Sequence, residues 1–122
     1  MTAPRATLDV DPQFDPKFLD AYTGGDHQIR DQVLTLFLEQ ASLLLQRLED
    51  SRGNARAWME VAHSLKGCAA GVGAAGIAAL ARVAEKGSAE PEAAQLKMIE
   101  ELRSAVDATT RRVNEVIARS AN

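Results

Sequence analysis

Aromatic residues are scarce in this chain: three Phe, one Tyr and one Trp among 122 residues. A core here must therefore be built from Leu, Val, Ile and Ala. A single cysteine, Cys68, excludes an internal disulfide and fits a reducing compartment. No apolar run is long enough to cross a bilayer. Met1 to Val10 lacks the apolar stretch of a secretory signal. Basic excess is also missing: the formal net charge is −3, which argues against a nucleic-acid partner, since such binding rests on a positive surface. Two distant histidines and one cysteine give no metal-ligand spacing. These absences leave a soluble, cytoplasmic protein without direct membrane insertion, expected to be a monomer.

What is present favours helix. Hydrophobic residues make up 46% and charged residues 25% of the chain, and Ala, Leu, Glu, Arg and Gln are strong helix formers. The length suits one domain with one core. Residues 1–13 show no sustained period and read as a loose arm, with the folded domain spanning 14–122. Asp15 and Pro16 suit the start of a short helix with Phe18, Leu19 and Tyr22 on its apolar face, ended by Gly24-Gly25. Asp26 opens a long helix to about Ser51. Its stripe reads Ile29, Val33, Leu36, Phe37, Leu44 and Leu48, widened by Leu34, Leu38, Leu43 and Leu45.

Gly53 breaks that helix and Asn54 caps the third, from about Ala55 to Gly71, with Trp58, Val61, Ala62, Leu65, Ala69 and Val72 inward. A fourth helix, Ala74 to Lys86, turns Ile77, Leu80, Ala81 and Ala84 inward. The last starts near Pro91 with a seam of Leu96, Ile99, Leu102, Val106, Val113 and Ile117. Short connections favour antiparallel neighbours. The expected fold is an all-α, antiparallel up-down four-helix bundle with a short additional N-terminal helix.

The chemically informative stretch is His63-Ser64-Leu65-Lys66-Gly67. At 100° per residue, His63 falls roughly 150° from the centre of the third helix's buried side. Glu60, Gly67 and Ala70 share its outward strip, and Lys66 is one helical step away. A neutral imidazole at physiological pH offers a nucleophilic nitrogen. Lys66 can neutralise phosphate oxygens as a point charge. Gly67 removes a side chain one turn beyond the histidine, at an intrinsic helix cost of about 1 kcal/mol relative to Ala. These types suit phosphoryl carriage, which needs positioning and charge neutralisation more than covalent help. An exposed helical His beside a Lys is also an ordinary surface pair. Met59 reads either as a partial core residue or as part of an apolar rim that receives a partner helix.

His63-x-Leu65-Lys66-Gly67, followed by Cys68-Ala69-Ala70-Gly71-Val72-Gly73-Ala74, resembles the signature of histidine-containing phosphotransfer (HPt) domains. Ile77, Leu80, Ala81 and Glu85 fit that family's next helix. The resemblance is close over residues 58–86 and architectural elsewhere; Cys68 departs from the more usual Ser or Ala. It implies that His63 is the phosphoacceptor and Lys66 the phosphate partner, and that Glu85 orients the imidazole. Glu85 also reads as a solvated residue at a helix end. The implied partners are response-regulator receiver domains or a hybrid sensor histidine kinase in a two-component phosphorelay. No cofactor is expected on this chain, with Mg²⁺ brought by the receiver. Without a recognisable ATP-binding unit, the chain reads as a phosphocarrier rather than an autonomous enzyme. The alternative is a helical module that binds and regulates a kinase or receiver without being phosphorylated.

Two further features point elsewhere. Gly71-Val72-Gly73-Ala74-Ala75-Gly76 spells G-x-G-x-x-G, but a dinucleotide site needs a preceding strand, and a helix precedes it here. His27, beside Asp26 at a helix start, lacks the small-residue context and reads as a surface residue.

Overall fold

A computed structural model describes residues 13–120, in which every regular element is a helix. They are α1 (Asp20–Thr23), α2 (His27–Asp50), α3 (Ala55–Ala70), α4 (Ala75–Lys86) and α5 (Glu92–Ser120). Tight connections at residues 51–54, 71–74 and 87–91 reverse the chain each time. α2 packs on α3, α3 on α4, α4 on α5, and α5 closes back on α2. The result is the antiparallel up-down four-helix bundle, with α1 resting on α2.

Local chemistry sets the helix ends. Asp26 Oδ1 accepts from the backbone N–H groups of Gln28 and Ile29 at 2.9 and 3.1 Å, and Asn54 Oδ1 from that of Ala57 at 3.1 Å. Each satisfies amides that a helix start leaves without partners. α4 has no side-chain cap; instead the Gly76 N–H donates to the Gln13 carbonyl at 2.9 Å. Gln13, placed in the loose arm by its sequence, is thus tied to α4. The rest of the expected arm lies outside the described residues. Gly73 turns the chain between α3 and α4 at φ +79°, where a Cβ would press to 2.5 Å from that of Phe18.

The core runs along 3–4 spaced lines: Leu34, Phe37, Ala41, Leu44 and Leu48 on α2; Trp58, Ala62, Leu65 and Ala69 on α3; Ile77, Ala81 and Ala84 on α4. Phe14 and Leu19 close one end.

Several inward assignments are corrected. On α2, Ile29, Leu36 and Leu43 are exposed, at 46%, 64% and 45%. α2 carries more apolar residues than one seam can hold. The line through Leu34 and Ala41 wins because the competing line is interrupted by Gln40 and Arg47. On α5, Leu96 is exposed and Gln95 is fully buried. The burial of Gln95 is possible because its amide is saturated: Oε1 accepts from the Gly53 N–H at 3.1 Å, and Nε2 donates to the Gly87 and Ser88 carbonyls at 3.3 Å. Near the N-terminus the expected helix from Pro16 shortens to α1. Asp15 Oδ1 caps the preceding turn at the Lys17 N–H, while Tyr22 stands exposed beside Phe18.

Candidate functional site

α3 turns His63 outward because Ala62 and Leu65 hold the opposite side of the helix in the core. The imidazole side chain is 67% exposed. Its Nδ1 lies 2.8 Å from Glu85 Oε2, and the Lys66 ammonium donates to Glu85 Oε1 at 2.7 Å. His63, Lys66 and Glu85 therefore form one cluster, with α4 supplying the carboxylate and α3 the two nitrogen groups. The contact between His63 and Glu85 agrees with the orienting role that the family resemblance implied, across 22 residues of chain; the Lys66 contact, across 19, was not expected.

The electrostatics follow from this arrangement. The Lys66 ammonium first, and the His63 ring second, hold the Glu85 carboxyl below the ordinary carboxylate range, while burial pushes weakly the other way. An ionised carboxylate only accepts hydrogen bonds. Nδ1 must then carry the proton in the neutral ring, which leaves the lone pair on Nε2. Nε2 has no hydrogen-bond partner among the described residues. The cluster thus presents a nucleophilic nitrogen of defined tautomer to solvent, over a half-buried anion.

The remaining positions sort by exposure. Gly67 is exposed, and a Cβ added there would meet nothing within 4 Å, so the backbone one turn past His63 is open. Ala70 is exposed, as is Met59 at 45%. Glu60 pairs loosely with Arg56 at 3.4 Å, a solvent-facing contact of little energy. The Lys66 ammonium, expected from its position to be available to a phosphate, is engaged by Glu85 here. Cys68 is half-buried, and burial pushes its thiol up, away from the reactive thiolate. His27 is exposed at the first turn of α2, far along the chain from the cluster. In the G-x-G-x-x-G run, Gly73 and Gly76 pack against Phe18 and Gln13, and the element that leads into the run is the helix α3.

Two features escaped the sequence reading. One is the Lys66–Glu85 ion pair, for which the only signal was opposite charge on successive helices. The other is the hydrogen bond of Trp58, which is buried as expected: its indole N–H donates to the Ala84 carbonyl at 2.6 Å. A lone Trp at a core position announces that its polar atom needs a partner, but not which one.

A protein-family model described as the Hpt domain matches residues 32–111, well over half of the chain and spanning all three residues of the cluster. No curated protein and no solved structure matches the chain.

Proposed function

Because the chain belongs to the Hpt domain family, the histidine phosphotransfer modules of two-component signalling, we propose that it carries a phosphoryl group on Nε2 of His63 in a phosphorelay. The observation that carries this reading is the 2.8 Å contact between Nδ1 and Glu85, which leaves the other ring nitrogen as an exposed nucleophile.

The donor in this reading is the aspartyl phosphate of a receiver domain. The Nε2 lone pair attacks phosphorus, and the N–P bond forms as the P–O bond to the aspartyl oxygen breaks. The carboxylate leaves with that electron pair, and the reverse step passes the group onward. Positive charge develops on the ring as its lone pair is committed, and Glu85 lies where it meets that charge while keeping the Nδ1 proton. Lys66 serves the phosphate oxygens, exchanging its contact with Glu85 for the stronger charge of the phosphoryl group. The receiver brings Mg²⁺ and docks over Met59, Glu60, Gly67 and Ala70, where the small residues admit its active site. The chain acts as a carrier completed by its partner, a receiver or a hybrid histidine kinase.

Incubation with a phosphorylated receiver tests the reading. The wild-type chain should gain phosphate that is lost in mild acid and kept in base. His63→Gln should gain none while keeping its fold, since exposed changes usually cost within about 0.5 kcal/mol. His27→Gln should label normally. Undiminished labelling of His63→Gln would refute the assignment, and a wild-type chain that binds the receiver without labelling would leave a purely regulatory module.

A further inference from the structure

Glu85 stands next to the last residue of α4, where a helix ordinarily frays. The last four carbonyls of a helix lack intrahelical partners, and Ala84, immediately before Glu85, contributes one of them. Its oxygen is nevertheless doubly bonded. The Gly87 N–H reaches it at 2.9 Å, and the Trp58 indole N–H at 2.6 Å from across the α3–α4 interface. Both Trp58 and Ala84 are completely buried. α3 therefore holds the end of α4 at two points: inside the bundle through Trp58, and at the surface through Lys66 and Glu85.

These two anchors differ in what a phosphoryl group would do to them. Lys66 is 32% exposed and its ammonium is drawn toward any dianion placed on His63. The Trp58–Ala84 bond is buried and involves neither His63 nor Lys66. We propose that Trp58 is a positioning residue for the transfer: its indole N–H fixes the backbone before Glu85, so that the carboxylate stays on Nδ1 of His63 after Lys66 has turned to the phosphate. The inference rests on the reading of His63 as acceptor, but its geometric content, that Trp58 sets the ring's tautomer through Glu85, can be measured without any phosphate.

The imidazole ¹⁵N signals of His63 report which nitrogen carries the proton. In the wild-type chain with the ring neutral, the Nδ1–H form should dominate. Lys66→Met removes the surface anchor at a partly exposed position and should leave that tautomer, and the slow exchange of the single indole N–H, in place. Trp58→Phe removes the buried donor and should give a mixture approaching that of Glu85→Gln. Val113→Ala, a core truncation on α5 with comparable loss of thermal stability, should keep the wild-type ratio. Transfer from a phosphorylated receiver should fall several-fold in Trp58→Phe and stay unchanged in Val113→Ala.

Retention of the wild-type tautomer in folded Trp58→Phe would overturn the proposal. If Trp58→Phe does not fold, Lys66→Met still decides: a scrambled tautomer there assigns the anchoring to Lys66 and overturns the role of Trp58. A native tautomer pattern in a chain that never accepts phosphate would leave the positioning intact and remove the acceptor reading alone.

Discussion

Two carboxylates on this bundle have nearly the same surroundings and lead to different consequences. Asp31 and Glu85 are 20% and 22% exposed, and each uses both oxygens. Asp31 accepts from Arg30 Nε and Nη2 at 3.1 and 3.0 Å and from the Ser120 hydroxyl at 2.5 Å, tying the end of α5 to α2. Glu85 accepts from Lys66 and faces His63, tying α4 to α3. The difference lies in the partners. Arg30 is a permanently charged guanidinium, 8% exposed, whose role ends with the pair. His63 has a second ring nitrogen, and the carboxylate determines the state of that nitrogen. A bonded carboxylate at a helix surface is thus not itself a functional sign. What its partner can do at the far end decides.

Neutralising the two carboxylates should separate them sharply. Glu85→Gln should keep the bundle and slow phosphotransfer about tenfold, the loss of one charge-assisted contact of about 1.5 kcal/mol. Asp31→Asn should leave transfer untouched and lower thermal stability by about 1–2 kcal/mol, because Arg30 loses its ionised acceptor. Equal effects of both on the transfer rate would erase the distinction.

The open backbone beside His63 gives a second contrast within the same cluster. A Cβ at Gly67 meets nothing within 4 Å, so Gly67→Gln should retain the thermal midpoint, yet it should weaken receiver affinity and transfer together by several-fold. Gly67→Ala should raise stability by up to about 1 kcal/mol. Unfolding of either would place Gly67 inside the bundle, contrary to its exposure.

Lys66→Ala should shorten the phosphohistidine lifetime or slow transfer a few-fold without abolishing either. Lys66→Arg should recover part, since a planar fork does not replace a compact ammonium. A Lys66→Ala chain with wild-type kinetics would confine Lys66 to the ion pair with Glu85.

The smallest expected effect is on stability against pH. The Glu85 carboxyl is held below its ordinary value of 4.5, so the folded state is favoured by its ionisation above that pH. This contribution should fall away as pH drops from about 4.5 through the depressed folded value, and screening at the surface keeps it small. The difference in thermal midpoint between wild type and Glu85→Gln, followed across that window, should shrink on acidification. A difference that grows instead would reverse the sign of the interaction.

Much of this was legible in the residues themselves. Helix order and approximate ends follow from Asp26, Asn54 and the glycine breaks, since caps and turns are local chemistry. The outward direction of His63 follows from the spacing of Trp58, Ala62, Leu65 and Ala69 around it. The phase of α2 was not legible, because its leucines cover so wide an arc that several seams fit. Nor was the burial of Gln95, since an amide enters a core only when three backbone groups from two loops converge on it.

The sequence by itself determined that these helices form, and that an imidazole, an ammonium and a bare backbone share one strip of α3, because positions three and four apart on a helix are neighbours whatever the rest of the chain does. Only the tertiary structure decided which ring nitrogen is free. That depends on a carboxylate from another helix arriving within 2.8 Å, at a height along the bundle set by Trp58 on the Ala84 carbonyl and by the core between α3 and α4. Such a distance belongs to the packing of two helices, and no periodicity within either one contains it.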